Sequence, residues 1–183
     1  MILGLDVSTS ITGATLLDDN GKIVFNEAWD TRKFKDFFDK AEFIKGKIKH
    51  VHDNYGNNHS NVHNVSIRHL FIEQSLQSFR SGFSSAKTLS TLSRFNGVVS
   101  WVCFNYFGIK PEYVAATTAR KLCGIKVPRG NKAKDVVLQH VIDTEPSFIF
   151  EKTKHGNPKP DTFDRADSLI IAKAGFVLTT ASK

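Results

Sequence analysis

At 183 residues and 40% hydrophobic, the chain carries enough apolar mass for one domain with a real core and too little for two. Its longest apolar run, residues 97–109, contains Ser100 and Asn105 and is too short for a bilayer, while Asp6 in the opening apolar stretch, with no basic residue before it, excludes a secretory signal. The formal net charge of +7 is unevenly placed: residues 74–134 hold ten Lys and Arg against one carboxylate, Glu112. Solvated faces usually mix signs, so this bias points to a polyanionic partner, most simply nucleic acid.

Cys103 and Cys123 lie in apolar surroundings and have no CxxC or Cys/His spacing. They read as reduced thiols filling the core of a soluble intracellular protein, expected in the cytoplasm (the host's, if the owner is a virus) and away from membranes.

In chain order, "MILGLDV" alternates and is rich in branched residues, which predicts a strand ending near Asp6. Residues 12–19 and 20–29 read as two strands joined at Asp19-Asn20-Gly21, a hairpin signal. Residues 33–52 put Phe34, Phe37, Phe38, Ala41, Ile44 and Ile48 at helical spacing, and the Asn-rich stretch after them reads as a loop. Its histidines, His50, His52, His59 and His63, fit a solvent-exposed insertion better than a zinc site. Residues 67–74 predict a buried strand ending at Glu73. Residues 84–107 predict a long helix facing inwards with Leu89, Leu92, Phe95, Val99, Val102 and Phe104. "EYVAA" predicts a strand, "TTARKLCG" and "NKAKDVVLQHVID" predict helices, and 162–179 predicts the last helix. "KVPRGNKAK" reads as a mobile loop leading into a helix N-terminus, and the stretch around His155, with Gly156, Pro158 and Pro160, reads as a flexible loop. Three antiparallel strands followed by alternating strands and helices predict a mixed sheet with helices on both faces, in one domain spanning 1–183.

Four carboxylates occupy telling places in this scheme. Asp6 ends the first strand and Glu73 ends the strand after the first helix, so adjacent parallel pairing brings them out side by side. Asp164 and Asp167 are three apart on the last helix and share a face beside its apolar stripe. Such a group cannot be fully ionised without counter-charge. Oxygen-only donors favour Mg²⁺ or Mn²⁺ over zinc, and two such ions about 4 Å apart are suited to phosphodiester hydrolysis. Singly, each residue has a plainer reading: Asp6 as a turn cap, Glu73 paired with Arg68 or Arg80, and Asp161 or Asp164 complementing the helix dipole, the reading preferred for Asp161.

The pieces "GLDVSTSITG", "FIEQ", "ARKLCGIK…NKAKDVVLQHV" and "DRADSLIIA" resemble, in order and over most of the chain, the RuvC-type Holliday junction resolvases, most of all the shorter-motif versions found in phages. The resemblance implies an RNase H-like fold, a homodimer, and two symmetric nicks at a four-way DNA junction. It also implies that Asp6, Glu73, Asp164 and Asp167 are the catalytic, metal-holding acids, and that Lys134 is the basic residue at the scissile phosphate. The family often has an aromatic wedge after the strand-end glutamate; here Leu76 and Phe79 are the candidates. Arg80, Lys87, Lys121, Arg129, Lys132 and Lys134 are expected to hold phosphates, and Phe95, Trp101 and Phe104 on the long helix are a candidate dimer face. No small-molecule cofactor is expected.

The phosphate loop of sugar kinases and actin-like ATPases also resembles the first strand and loop, but those proteins need a second domain and have no use for the basic span. A branched-DNA or flap nuclease or ribonuclease H of the same fold, or a non-catalytic junction binder, are the remaining alternatives.

Overall fold

The computed structural model describes residues 1–56, 66–74 and 86–181. Strands β1 (Ile2–Asp6), β2 (Ile11–Leu17) and β3 (Ile23–Asp30) come first, then helix α1 (Phe37–Tyr55) and strand β4 (His69–Glu73). Helix α2 (Ala86–Phe107), strand β5 (Glu112–Val114) and helices α3 (Ala116–Leu122), α4 (Ala133–Thr144) and α5 (Asp161–Ala181) follow. The sheet order is β3-β2-β1-β4-β5: β1–β2 and β2–β3 are antiparallel, and β1–β4 and β4–β5 are parallel. This is the mixed sheet that the alternation of elements implies.

Side-chain parity along β1 and β4 decides which helices cover which face. Leu3, Leu5, Leu70 and Ile72 join the core under α1 and α2, whereas Ile2 and Phe71 join the core under α3, α4 and α5. By the same parity, Asp6 and Glu73 fall on the α5 face. The two cores sandwich the sheet, and each is a continuous apolar cluster.

Several expectations need correction. Helix α1 starts at Phe37, because Asp36 caps it by accepting from the amides of Phe38 and Asp39. It runs on to Tyr55, so His50 and His52 are helical, and His52 packs its ring against Tyr106 and Phe107. Phe38 points to solvent (72% exposed), since the buried stripe follows Ile44, Ile48 and Val51. Phe104 is outward as well (43% exposed), while Phe95 is fully buried and belongs to the core, not to a dimer face. Phe104 is about two and a half turns past Phe95, on the opposite side of the helix, and the buried side also carries Asn96 and Ser100: Asn96 Nδ2 donates to the Glu73 carbonyl at 3.2 Å, and Tyr113 OH bonds Ser100 Oγ at 2.8 Å. Polar partners on β4 and β5 set the rotation of α2. Both cysteines are free, Cys103 buried and Cys123 partly so, and burial pushes the Cys123 thiol up to about 11. Among the described residues, no helix is long and apolar enough to cross a membrane.

Candidate active site

Asp6 closes β1, where Leu5 pairs with Ile72 in parallel register, so the next residues along, Asp6 and Glu73, leave the sheet side by side. On the other flank Asp6 is opposite Gly13 of β2. Helix α5 seats its first turns on that glycine: a Cβ there would stand 2.0 Å from the Asp164 carbonyl oxygen. Further along, Gly4 admits Ala172 backbone in the same way. Two glycines in the strands therefore let α5 lie directly on the sheet, with Asp164 and Asp167 over the ends of β1 and β4.

A polar network fixes the rotation of α5. Thr15 Oγ1 and Ser168 Oγ bond at 2.8 Å in a buried pair, and Asn26 Nδ2 donates to Thr15 Oγ1 at 2.7 Å. Arg165 Nε donates to Asn26 Oδ1 at 2.8 Å, and the Arg165 carbonyl accepts from Asn26 Nδ2 at 3.1 Å. Buried hydroxyls need such partners, and this pairing allows one helix orientation.

Helix α4 completes the site. Lys134, in its first turn, places Nζ 3.5 Å from Asp164 Oδ1 and 3.6 Å from Asp167 Oδ2. Those two aspartate side chains are only 15% and 17% exposed, so water screens the pair weakly. Lys173 pairs with Glu145 and ties the far part of α5 to the end of α4.

Burial and the crowding of carboxylates dominate the electrostatics of the site. Burial first, then the charges of Glu73, Asp167 and Asp164, hold the Asp6 carboxyl well above the usual range, and Lys134 only partly offsets them. Burial and then Asp167 push Glu73 up to about 7, against Arg120, Lys134 and a hydrogen bond with Asp6. Asp164 and Asp167 are raised by burial despite Lys134. Burial pulls the Lys134 ammonium down, but Asp164, Asp167 and Asp6 outweigh it and hold it above its ordinary value. Four acids share one lysine.

Among the described residues, no group of three or more His, Cys, Asp or Glu side chains is drawn together tightly enough to hold a metal ion. The donor set nonetheless fits hard divalent cations in its chemistry: every donor is a carboxylate oxygen, and the mutual repulsion marks a deficit of positive charge. The Lys134 ammonium is shared between Asp164 and Asp167.

The basic residues divide into groups. Lys121 lines a depression of about 300 Å³ together with Arg120 and Lys126. Arg129 and Lys132 are exposed on the loop into α4, where Lys132 is the N-cap residue. Lys87 is exposed at the start of α2, across the sheet from α5. Arg80, Leu76 and Phe79, together with His59 and His63, lie outside the described residues. Arg68 pairs with Asp19 at the opposite sheet edge, which removes it as a partner for Glu73. The charge near Glu73 is instead Arg120, which also acts on Asp167. Arg120 stands in the acid-poor segment, but nothing in its spacing separates it from Lys121.

No protein-family model and no curated protein sequence matches the chain. Solved structures do match its fold. T. thermophilus RuvC in complex with a Holliday junction substrate superposes with a TM-score of 0.64 at 13% identity, over 99% of this chain and 96% of that one. A second Thermus thermophilus RuvC structure gives 0.59 at 16% identity, over 98% and 96% of the two chains. The yeast mitochondrial Holliday junction resolvase Ydc2 gives 0.54 at 14% identity, over 98% and 78%. The chain has the fold of these RuvC structures.

Proposed function

We propose that this chain is a structure-specific DNA endonuclease that resolves four-way junctions by paired, metal-dependent hydrolytic nicks, acting as a single nuclease domain. The observation that carries the reading is the gathering of Asp6, Glu73, Asp164 and Asp167 beside Lys134 at one edge of a RuvC-type sheet. A matching fold recorded with a Holliday junction substrate supports branched DNA as the substrate class.

In this reading the four carboxylates hold two divalent cations, Mg²⁺ by donor hardness, with Mn²⁺ as a workable substitute. When bound, such cations lower the pKa of a water nucleophile and neutralise charge on the leaving oxygen. The chain's own groups do the rest. Asp6, between Glu73 and the α5 pair, orients the others. Lys134 turns its ammonium to the scissile phosphate, where negative charge grows in the transition state. Arg120 supports that charge from the side of Glu73. Lys121, Arg129 and Lys132, with Lys87 across the sheet and Arg80 beyond the described residues, hold phosphates and position the arms without reading bases. Leu76 or Phe79 supplies the wedge at the junction centre.

A homodimer places one site on each of two equivalent strands. Trp101 (64% exposed) and Phe104 on α2 support self-association. They adjoin an apolar depression of about 380 Å³ between α1 and α2, which Phe38 and Trp101 line.

The test is cleavage of a synthetic four-way junction with Mg²⁺ beside a linear duplex, a flap and an RNA–DNA hybrid. Paired symmetric nicks confined to the junction are expected. Equal cutting of the flap turns the reading into general branch clearance, and preferred cutting of the hybrid turns it into a ribonuclease H.

A further inference from the structure

The basic bias of the sequence stops at Lys134, yet a second cationic feature stands at the same sheet edge. Residues 150–159 form a closed hairpin between α4 and α5. Lys152 bridges Pro158 in antiparallel fashion, Thr153 N donates to Asn157 O at 2.7 Å, and Lys159 N donates to Glu151 O at 3.0 Å. The tip turns at Gly156 (φ 82°), with Gly156 N donating to Thr153 O at 2.9 Å. Glu151 and Lys159 pair across the base. Below it, buried Phe148 lies beside Phe150 and under the Arg165 guanidinium, whose Nη2 donates to the Ile149 carbonyl at 2.9 Å. The arm is thus bolted to the first turn and a half of α5, the stretch that carries Asp164.

This construction leaves Lys152, Lys154 and His155 exposed, while Glu151, the acid within the hairpin, is committed to Lys159, on which Asp161 also acts. An exposed ion pair adds little stability, so fixing the base mainly fixes where the tip charges stand. Pro160 leads straight into α5, whose Asp164 backbone rests on Gly13 of β2, opposite Asp6. The cationic tip therefore flanks the candidate active site on a different connection from the Lys121–Lys132 group.

We propose that the 150–159 hairpin is a second grip on the DNA backbone, with Lys152 and Lys154 neutralising phosphates of the duplex arm that leaves the active-site edge beside α5. The proposal rests on the nuclease reading. Its contacts are to phosphates alone, so they supply affinity and register and are indifferent to sequence.

The test is binding of two fluorescent four-way junctions of different sequence, in EDTA, over a range of salt concentrations. The proteins are the wild type, Lys152→Gln/Lys154→Gln, and Lys22→Gln at the β2–β3 turn on the opposite sheet edge. The double variant is expected to bind both junctions more weakly by the same factor. Its slope of log K against log salt should drop by about 2, one for each lysine, with Lys22→Gln unchanged. A wild type that binds steeply and a double variant with the same slope and affinity would overturn the hairpin grip and leave the nuclease reading standing. A wild type that binds neither junction overturns both. Lys to Gln at exposed positions keeps the fold, which a melting curve checks.

Discussion

The backbone of Asp164 rests on Gly13: a Cβ built on that glycine would lie 2.0 Å from the Asp164 carbonyl oxygen and 2.7 Å from its carbonyl carbon. Strand β2 thereby sets the height of α5 above Asp6, which is Gly13's partner across the ladder. Gly13→Ala must push the start of α5 away by more than a bond length, since the obstacle is backbone. The expected cost is about 1–3 kcal/mol of stability, with a loss of cleavage larger than that stability loss explains. Gly46→Ala is the contrast, because a Cβ at that mid-helix position of α1 meets nothing within 4 Å. It should stabilise by roughly 0.5–1 kcal/mol and leave cleavage unchanged. Chemical denaturation and single-turnover cleavage on both variants check the pair.

The raised carboxylates give the metal-free protein an unusual pH dependence. Glu73 titrates near 7 when folded and near 4.5 when not, so the folded state binds more protons between those values. Stability must therefore fall as pH rises through this window, by on the order of 3 kcal/mol. Asp6, Asp164 and Asp167 act in the same direction. Asp30, held at about 2 by Arg32, loses its contribution only as pH falls below the ordinary carboxylate range. In EDTA the melting temperature should be lower at pH 8 than at pH 5.5, and Glu73→Gln should flatten that slope. A melting temperature that rises steadily with pH in EDTA contradicts the carboxylate crowding.

Removing the one ammonium among the acids separates catalysis from electrostatics. Lys134→Gln leaves Asp164 and Asp167 facing each other without their counter-ion. At pH 8 the metal-free variant should melt below the wild type, and Mg²⁺ should restore more stability to the variant than to the wild type. Cleavage with Mg²⁺ should still fall about 10²-fold or more, because a cation that relieves the acids does not replace a donor to the phosphate. Differential scanning calorimetry with and without Mg²⁺, beside cleavage rates, checks both halves.

The Thr15–Ser168 bond is the buried lock on the rotation of α5. Thr15→Val keeps the shape and removes the hydroxyl that Ser168 and Asn26 both use. Leaving those groups short of a partner should cost about 1–3 kcal/mol. Ser168→Ala in the same background should recover part of it, and a double-mutant cycle measures the coupling.

Much of the site was legible because its two periodicities are simple. Period 2 along "ILGLD" and "HLFIE" puts Asp6 and Glu73 on one face once the strands pair in parallel, and period 3.6 puts Asp164 and Asp167 together. The rest depended on long-range partners. Phe104 stands about two and a half turns past Phe95 and so falls on the opposite side of α2, while the polar partners that hold Asn96 and Ser100 in the core lie on β4 and β5. Phe38 follows the apolar pattern, yet Asp36 caps the helix so that Ile44 and Ile48 take the core. Arg120 and Lys121 are adjacent cations in the basic segment, and only the strand bearing Glu73 singles out Arg120. Gly156, Pro158 and Pro160 announce a turn and say nothing of the Phe148, Phe150 and Arg165 packing that fixes the hairpin. Gly4 and Gly13, inside strands, are local signals of the approach of α5, since a strand-interior glycine marks a close backbone contact.

The central claim is that Asp6, Glu73, Asp164 and Asp167 form a hydrolytic centre for branched DNA, and Asp6→Asn tests it most directly. Junction binding and junction cleavage would be measured side by side with Mg²⁺ for this variant and the wild type. Paired symmetric nicks are expected from the wild type and none from Asp6→Asn, with binding retained or tightened by the lost negative charge. An Asp6→Asn protein that nicks the junction at the wild-type rate would contradict it.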